Sequence, residues 1–395
     1  MKNSRIHKYF SGISRDTLLL AFASFFSDVS TEMLYPVLPI FLTQTLKAGG
    51  SVVGIVEGVA EATKNIIQGF SGSLSDKIQR RKPIALVGYI FSALAKPLIG
   101  VATIWQGVLG ARFLDRLGAG VRSAPRDALI SSSVEESDRG KAFGLEGTGD
   151  NLGAFVGPLI AVVILFSLHI NIRYVFYLAL IPGLISVFMI ALVKEKYKIV
   201  KSKSKIDIHL KKFPAAYWKY LLVTGLFGIG NSSNVFLILQ TRNAGISLEI
   251  TIFIYALYNL IAALISYPSG SWSDSFGRKP ILLLSFIIFF ISYVGFAFVH
   301  NIFLIGFLFI FYGLYQGIFR TVGKSFATDF VPSELRASAV GWYSTIVGLS
   351  ALVASVIAGQ LWDKINHTSV FFFAALFAFI GIIALLFLIP NKNKT

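Results

Sequence analysis

GSLSDKIQRRKPI (Gly72–Ile84) and GSWSDSFGRKPI (Gly270–Ile281) are two versions of one short segment in a chain of 395 residues. Each version joins one long apolar run to the next through a turn that is rich in Lys and Arg. Asp76 and Asp274, the acidic residues of the two copies, are 198 positions apart. The chain therefore carries an internal repeat.

The repeat continues outside these two segments. Arg122 and Arg320 are also 198 positions apart, and RGKAFG at Arg139 corresponds to RASAVG at Arg336 with an offset of 197. Three correspondences in phase predict two parallel halves that are related by a rotation axis.

The composition is that of a membrane protein. Hydrophobic residues make up 55% of the chain and charged residues only 14%, against about a quarter charged in soluble domains. Because lipid cannot hydrogen-bond the backbone and no alternation of strand length is present, we predict an all-α membrane protein with twelve transmembrane helices. The predicted spans are residues 17–43, 51–73, 84–104, 106–128, 142–167, 173–193, 220–241, 249–271, 281–300, 302–326, 338–362 and 369–389.

A basic segment, residues 194–219, divides the twelve runs into two sets of six. It contains nine lysines and no long apolar run, which is typical of a solvated loop beside anionic lipid. We therefore predict a six-helix bundle over residues 1–193, a cytoplasmic linker over residues 194–219 and a second bundle over residues 220–395, with a substrate path between the bundles.

The formal charge of +16 could indicate a nucleic-acid partner, so the location of the basic residues decides. The segments on the side of the N-terminus hold 28 of the 36 Lys and Arg, and the loops on the other side hold four. This asymmetry predicts that both termini are cytoplasmic and that there is no nucleic-acid partner. We expect a monomer embedded in the lipid bilayer of a bacterial inner membrane.

The sequence shows few of the patterns that are typical of enzymes. The chain has no cysteine and five scattered histidines, and it lacks the phosphate-binding pattern G-x-x-x-x-G-K-[ST]. Thiolate nucleophiles, metal clusters and direct use of ATP are therefore not expected. We predict that the protein is not an enzyme and that it has no metal or cofactor.

The two quoted copies follow the pattern G-x-x-x-D-[RK]-x-G-[RK]-[RK], and here the chain resembles the major facilitator superfamily over essentially its full length. The second copy departs from the pattern at Ser275, and the first has Gln79 in place of the glycine. Arg122 could hold Asp76 as a cytoplasmic latch, or the charges could only orient a short turn. The residues assigned to the two gates are Gly72, Asp76, Arg80, Arg81, Arg122, Gly270, Asp274, Gly277, Arg278, Lys279 and Arg320.

Two other segments are similar to motifs of drug:proton antiporters. GARFLDRLGAG shares Arg112 and Gly118 with the helix-four motif R-x-x-Q-G-x-G, although Asp115 and Arg116 replace its glutamine and its first glycine. The helix-five motif G-x-x-x-G-P is matched by Gly153, Gly157 and Pro158. The alternative for this second motif is close helix packing with a kink.

Asp28 and Glu32 are four residues apart and share one face of the predicted first helix. Each charge at the bilayer centre costs at least about 2.5–3.5 kcal/mol, so such residues should form pairs or line a wet cavity. The N-terminal half places seven acids and four bases at this depth: Asp28, Glu32, Glu57, Glu61, Lys64, Lys96, Arg112, Asp115, Arg116, Glu146 and Asp150. Acids outnumber bases, which makes Asp28, Glu32, Glu61 and Asp150 candidates for reversible protonation; a structural salt-bridge network is the alternative.

The C-terminal half has amides, hydroxyls and aromatic rings instead of acids at mid-depth. Asn231 and Asn234 belong to GNSSN in the predicted seventh helix, and Tyr312 and Gln316 belong to YGLYQG in the tenth. Such groups suit the orientation of an organic solute, although helix packing explains them equally well.

Three functions follow from this pattern. The first is proton-coupled export of a small organic compound, with sodium left open as the coupling ion. The second is transport of an anionic metabolite, such as a carboxylate or siderophore, with Lys64, Arg112 and Arg116 as its ligands. The third is a receptor or scaffold that does not transport.

Overall fold

The computed structural model describes residues 14–78, 80–135, 139–195, 213–332 and 335–390, without the side chains of residues 72–78, 139–141 and 337. Within these ranges the helices form twelve stretches and no residue is in a β-strand. In chain order they are α1 (Arg15–Glu32, Leu38–Ile40 and the π-helix Phe41–Thr45), α2 (Gly50–Ile78), α3 (Arg81–Val101), α4 (Trp105–Ser133), α5 (Arg139–Val162 and the π-helix Val163–Ser167), α6 (Ile172–Leu178 and Leu180–Leu192), α7 (Ala215–Gly230 and Val235–Asn243), α8 (Leu248–Phe276), α9 (Arg278–Phe298), α10 (Ile302–Asp329), α11 (Arg336–Lys364) and α12 (His367–Leu388).

Nine of these stretches, α3 and α5 to α12, are long and apolar enough to cross a membrane. Their outer surfaces expose large apolar side chains such as Phe303 and Phe387, each 83% accessible, which is the surface expected against lipid. The chain is therefore a multi-pass membrane protein. The other three stretches, α1, α2 and α4, carry the internal charges described below, and their crossing remains a prediction.

The two halves repeat one packing scheme. In the first half α1 packs on α5 and α6, α4 packs on α2 and α3, and α3 packs on α6. In the second half α7 packs on α11 and α12, α10 packs on α8 and α9, and α9 packs on α12. Each contact in one half thus has its counterpart six helices later, as the sequence repeat predicts.

The largest contacts between the halves are those of α2 with α11 and of α5 with α8. The first pair packs through Gly50, Gly54 and Gly58, whose spacing of four places all three on one face of α2. A Cβ added at Gly54 would overlap the carbonyl oxygen of Ser355, so the two backbones are in direct contact there. Near the other end of α2, a Cβ at Gly69 would lie 3.4 Å from the carbonyl of Gly341, which is an ordinary contact distance.

Two helices that were predicted to be continuous are broken near their centres. In α1 the chain leaves the α-helix between Glu32 and Leu38, where Pro36 provides no backbone N–H. In α7 it unwinds between Gly230 and Val235, within GNSSN, where Asn and Ser side chains compete for backbone hydrogen bonds. The predictions of unbroken helices over residues 17–43 and 220–241 are wrong at these points.

The two breaks are related by the repeat and face each other. Tyr35 and Ser233 are 198 positions apart, and their hydroxyl oxygens are 3.1 Å apart across the two halves. The N–H of Ser233, freed by the break, donates to the Ser355 hydroxyl of α11 at 3.1 Å. The pseudo-symmetry axis therefore passes close to this contact.

One end of the interface is closed by a carboxylate that caps a helix of the other half. We call this end the closed end. The opposite end, at which α6 finishes and α7 begins, is called the linker end. Asp363 in the last turn of α11 accepts hydrogen bonds from the Gly50 N–H (2.7 Å), the Ser51 N–H (2.8 Å) and the Ser51 hydroxyl (2.6 Å). An anionic acceptor at the N-terminus of α2 satisfies otherwise unpaired N–H groups and is favoured by the helix dipole.

We predict that Asp363→Ala opens the closed end. Loss of a helix cap costs about 0.5–2 kcal/mol, which changes the ratio of closed to open molecules between a few-fold and about 30-fold. The chain has no cysteine, so spin labels on cysteines introduced at the exposed positions Gln44 and Asn243 report the distance between the halves. A longer population should appear in Asp363→Ala and not in the control Glu249→Ala; identical distributions in both variants would contradict the prediction.

A charged cavity between the two halves

A buried ion network joins α2, α3 and α4 around Asp115. This carboxylate accepts from the Arg112 Nη1 (3.0 Å), the Arg116 Nε (3.0 Å), the Lys96 Nζ (3.3 Å) and the Ser92 hydroxyl (2.6 Å). Arg112 also binds Glu57 with two nitrogens, at 2.8 and 3.2 Å. The side chains of this network are between 0 and 9% accessible. Arg112 and Arg116 are thus engaged by protein carboxylates.

The sequence of α3 and α4 explains how Lys96 reaches this site. Gly88 and Gly118 face each other, and a Cβ on Gly118 would lie only 2.5 Å from the Gly88 carbonyl oxygen. The two helices therefore approach at backbone distance, which brings Lys96 against Asp115 two turns further along α3. On α4, the spacing of Arg112, Asp115 and Arg116 puts all three on one face.

A second ion cluster forms around Arg126. Its Nη2 lies 2.8 Å from Glu146 and 3.1 Å from Asp127, and its Nη1 lies 3.7 Å from Asp150. Ser24 of α1 contacts both Arg126 and Glu146, at 3.0 Å in each case. Glu146 and Asp150 are therefore not surplus acids, because Arg126 of α4 lies within ion-pair distance of both. In the sequence, the spacing of Arg126 from Arg112 and Arg116 places all three on one face of the helix, and this was the signal that Arg126 belongs to the site.

Asp28, Glu32, Glu61 and Lys64 remain outside both clusters and are half-buried. Asp28 has no ion pair or hydrogen bond with any residue in the described ranges. Glu32 accepts a hydrogen bond from the Tyr255 hydroxyl of α8 at 3.0 Å, which crosses between the halves. Glu61 accepts from the Asn65 amide of its own helix at 2.8 Å.

The helix-five motif lies directly beside these acids. A Cβ on Gly153 would be 2.9 Å from the Asp28 Cβ, and one on Gly157 would be 3.1 Å from the Glu32 carbonyl carbon. Pro158 lies inside α5 and is buried. The motif therefore lets α5 press against α1 where the two carboxylates are, which is the packing alternative considered above.

Tyrosines and amides of the second half form the opposite wall. Asn234 donates to the Tyr258 hydroxyl at 3.0 Å and accepts from the Tyr312 hydroxyl at 2.7 Å. The rings of Tyr35 and Tyr255 stack with centroids 5.5 Å apart. Asn231 and Gln316 are half-buried on α7 and α10. Tyr255 and Tyr258 are absent from the predicted site, although a tyrosine pair three positions apart in an apolar helix was a usable signal.

The gate segment of the second half is held by ion pairs and backbone caps. Arg278 lies 3.1 Å from Asp329 and 3.8 Å from Asp274, and the Lys279 ammonium caps α12 through the carbonyls of Leu386 (3.1 Å) and Ile389 (2.6 Å). Gly277 has φ +97°, a conformation that favours glycine. Gly270 packs against α10.

Arg320 was assigned to this gate through its correspondence with Arg122, and the structure places the two arginines differently. Arg122 is buried with its guanidinium 4.4 Å from the ring centroid of Tyr89. Arg320 is exposed and interacts electrostatically with Glu61 and Lys64 of the other half. Arg320 therefore acts on charged residues of the other half and not on its own gate segment.

The gate segment of the first half is described only in part. The Arg81 N–H donates to Glu195 at 2.6 Å, and Arg80 is exposed ahead of α3. Gly72 and Asp76 are described only as backbone of α2. The predicted contact between Asp76 and Arg122 therefore lies outside the described part of the chain.

Two helix bundles related by a pseudo-two-fold axis, with charged and polar groups gathered between them, define the architecture of a secondary membrane transporter. The family model described as the Major Facilitator Superfamily matches residues 20–238 and 220–395. The chain belongs to this superfamily, whose members transport solutes and are not enzymes.

Individual proteins that the chain resembles include transporters. The chain is 33% identical over 383 residues to the uncharacterized MFS-type transporter MJ1317 of Methanocaldococcus jannaschii, with 95% of each chain covered. It is 26% identical over 303 residues to the multidrug resistance protein MdtG of Salmonella arizonae, covering 70% of this chain and 71% of that protein. The crystal structure of the nucleoside transporter NupG has the same fold, with a TM-score of 0.75, 15% identity and coverage of 96% of this chain and 100% of that one.

We predict that Asp115→Asn is strongly destabilising, because it leaves Lys96, Arg112 and Arg116 around a neutral group. Removing one partner of a buried ion pair costs about 3–5 kcal/mol. Asp127→Asn is the control, since its side chain is 45% accessible. Thermal unfolding of the purified proteins, followed by tryptophan fluorescence, should show a large decrease in midpoint for Asp115→Asn alone. Equal midpoints would show that the network does not stabilise the fold.

Proposed function

We propose that the protein is a proton-coupled secondary transporter of a small organic solute, with Asp28 and Glu32 as the proton-carrying groups. The observation that carries this proposal is that these two acids remain outside both ion clusters. Glu61 does so as well, but it lies three positions before Lys64 and interacts with it electrostatically. Each of the acids Glu57, Asp115, Glu146 and Asp150 lies near an arginine or lysine. A carboxylate without a basic partner in a half-buried site can exchange a proton at the least electrostatic cost.

Glu32 offers a direct link between protonation and the contact of the halves. Its hydrogen bond from Tyr255 joins α1 to α8, and a charged acceptor makes such a bond stronger than a neutral one does. Protonation of Glu32 weakens this connection and favours separation of α1 from α8. Proton binding then biases the two facing states, which is the differential stabilisation that alternating access requires.

The arrangement of the halves supports a state that is open toward the linker end. Asp363 and the glycines of α2 join the halves at the closed end, whereas the contact of Gly69 with Gly341 is looser. The basic residues of the sequence favour a cytoplasmic position for the linker end and for both termini. In this proposal the first bundle, residues 1–193, couples protons, the second, residues 220–395, shapes the substrate site, and residues 194–219 link them.

Export by exchange with protons is the direction we favour. The similarity to MdtG, whose name denotes multidrug resistance, supports it, as do the helix-four and helix-five motifs. The coupling ion is assigned to the proton rather than sodium, because the Glu32 carboxylate is bonded to the Tyr255 hydroxyl and the Asp28 carboxylate has no hydrogen-bond partner in the described ranges. A sodium site would need several oxygen ligands around one point.

The test is proton flux in proteoliposomes that contain a pH-sensitive dye, with a panel of organic cations, neutral drugs and organic acids added across a preset proton gradient. At least one compound should cause flux in the wild type. Asp28→Asn and Glu32→Gln should each reduce that flux at least tenfold, because neither amide binds a proton at neutral pH. Glu249→Gln, at the start of α8 near the closed end, should leave it unchanged.

Two results would overturn this assignment. Unchanged flux in both Asp28→Asn and Glu32→Gln would show that these acids do not couple transport. Flux that follows an imposed sodium gradient, with no response to pH, would replace the proton with sodium as the coupling ion.

A further inference from the structure

Three basic residues face the cavity without a carboxylate at ion-pair distance. Lys64 lies on α2 of the first half, and Arg320 and Lys324 lie one turn apart on α10 of the second half. None of the three forms an ion pair or a hydrogen bond with another residue in the described ranges. Arg320 and Lys324 are exposed, and Lys64 is half-buried.

These three side chains are close enough to affect one another. Lys324 interacts electrostatically with both Arg320 and Lys64, and Lys64 interacts most strongly with Glu61 and also with Arg320. Like charges that share a cavity repel each other, and each costs free energy at membrane depth. The structure therefore maintains a concentration of positive charge between the halves.

The other bases between the halves are paired with carboxylates. Lys96, Arg112, Arg116 and Arg126 each lie within hydrogen-bond or ion-pair distance of a carboxylate. Glu61, three positions before Lys64, accepts from Asn65 instead of the Lys64 ammonium. Protein carboxylates at ion-pair distance thus neutralise the structural bases, whereas Glu61 acts on Lys64 and Arg320 only from beyond that distance. The three bases therefore keep an excess of positive charge that is open to an external anion.

Arg320 and Lys324 belong to a row of polar residues on one face of α10. Gln316, Arg320 and Lys324 are spaced by four, so they form one row along a single face of the helix, running from the centre toward the linker end. Tyr258 lies within electrostatic reach of Arg320 and is hydrogen-bonded to Asn234 at 3.0 Å. A ligand bound at Arg320 would therefore have amide and phenol groups on one side and open cavity on the other.

We propose that the transported solute is a small organic anion whose carboxylate binds between Lys64 of the first half and Arg320 and Lys324 of the second. This inference rests on the proposed transport function and names its substrate class. A guanidinium and an ammonium from opposite halves hold one carboxylate only when the halves are close at this depth. The anion thereby stabilises one facing state, and its release is favoured when the halves separate.

The assignment differs from the sequence-based alternative of an anion site at Lys64, Arg112 and Arg116. Arg112 and Arg116 are occupied by Glu57 and Asp115. Lys64 is the one residue that the two sites share. The second half, which has no acid at mid-depth among the described residues, supplies the other two.

Isothermal titration calorimetry of the full chain in nanodiscs of zwitterionic lipid tests the proposal. The probes are benzoate, succinate and phenyl phosphate, with neutral benzamide and cationic benzylammonium as matched controls. We expect at least one of the three anions to bind, and neither control to do so. Arg320→Gln and Lys64→Gln should raise the Kd of that anion at least tenfold, and Lys324→Gln should raise it at least threefold.

Lys219→Gln, an exposed lysine at the linker end of α7, is the matched control and should bind the anion as the wild type does. Lys324 is exposed, so its variant tests the site without disturbing the fold; thermal unfolding checks the other two. Binding of benzylammonium but of none of the anions would overturn the inference, as would anion affinity that is unchanged in all three variants.

The outcome is separable from that of the proton-flux experiment. Proton flux driven by an organic cation, together with an absence of anion binding, would leave the transport proposal standing and refute the anion site. Anion binding that depends on Arg320, without any proton flux, would support the anion site and refute the proton-coupled transport proposal.

Discussion

The Asp115 carboxylate is the constraint on which the first half depends. Three cations surround it, and none of them could be kept in the interior of a membrane protein without a counterion. Arg112 extends the network to Glu57 and lies 5.6 Å from the ring of Tyr35, so the ion network of α2, α3 and α4 reaches the break in α1. The network therefore ties α2, α3 and α4 of this half to one another and to the centre of α1.

The second half has the same helix packing but not the same chemistry. In the repeat, Glu57, Lys96, Arg112, Asp115 and Arg116 correspond to Tyr255, Val294, Ile310, Gly313 and Leu314. The ion network is thus replaced by apolar packing and by one tyrosine, and that tyrosine reaches across to Glu32. The two halves therefore share their helix contacts and differ in their interiors, with charge compensation in one and hydrogen-bonded tyrosines and amides in the other.

The sequence predicted the helical membrane fold, the two parallel halves and the faces on which the internal charges lie, because periodicity and repetition are local properties. It did not predict which charges meet. Arg126 meets Glu146 because α4 packs against α5, and α7 breaks where the Ser355 hydroxyl accepts from the freed Ser233 N–H. Arg320 shares its repeat position with Arg122, but Tyr89, on which Arg122 stacks, corresponds to Ile287. An equivalent position without an equivalent neighbour has a different role.

The contact of Tyr35 with Ser233 has a consequence for how the two halves can differ. These positions are equivalent under the repeat, so in a dimer of two identical six-helix subunits this position would meet its own copy on the symmetry axis. A single mutation there would have changed both sides of the contact at once, and only pairings of like with like were available. A single chain with two halves is free of that restriction. A phenol can face a smaller hydroxyl, and the ring of Tyr35 stacks on Tyr255 without a matching ring on the opposite side.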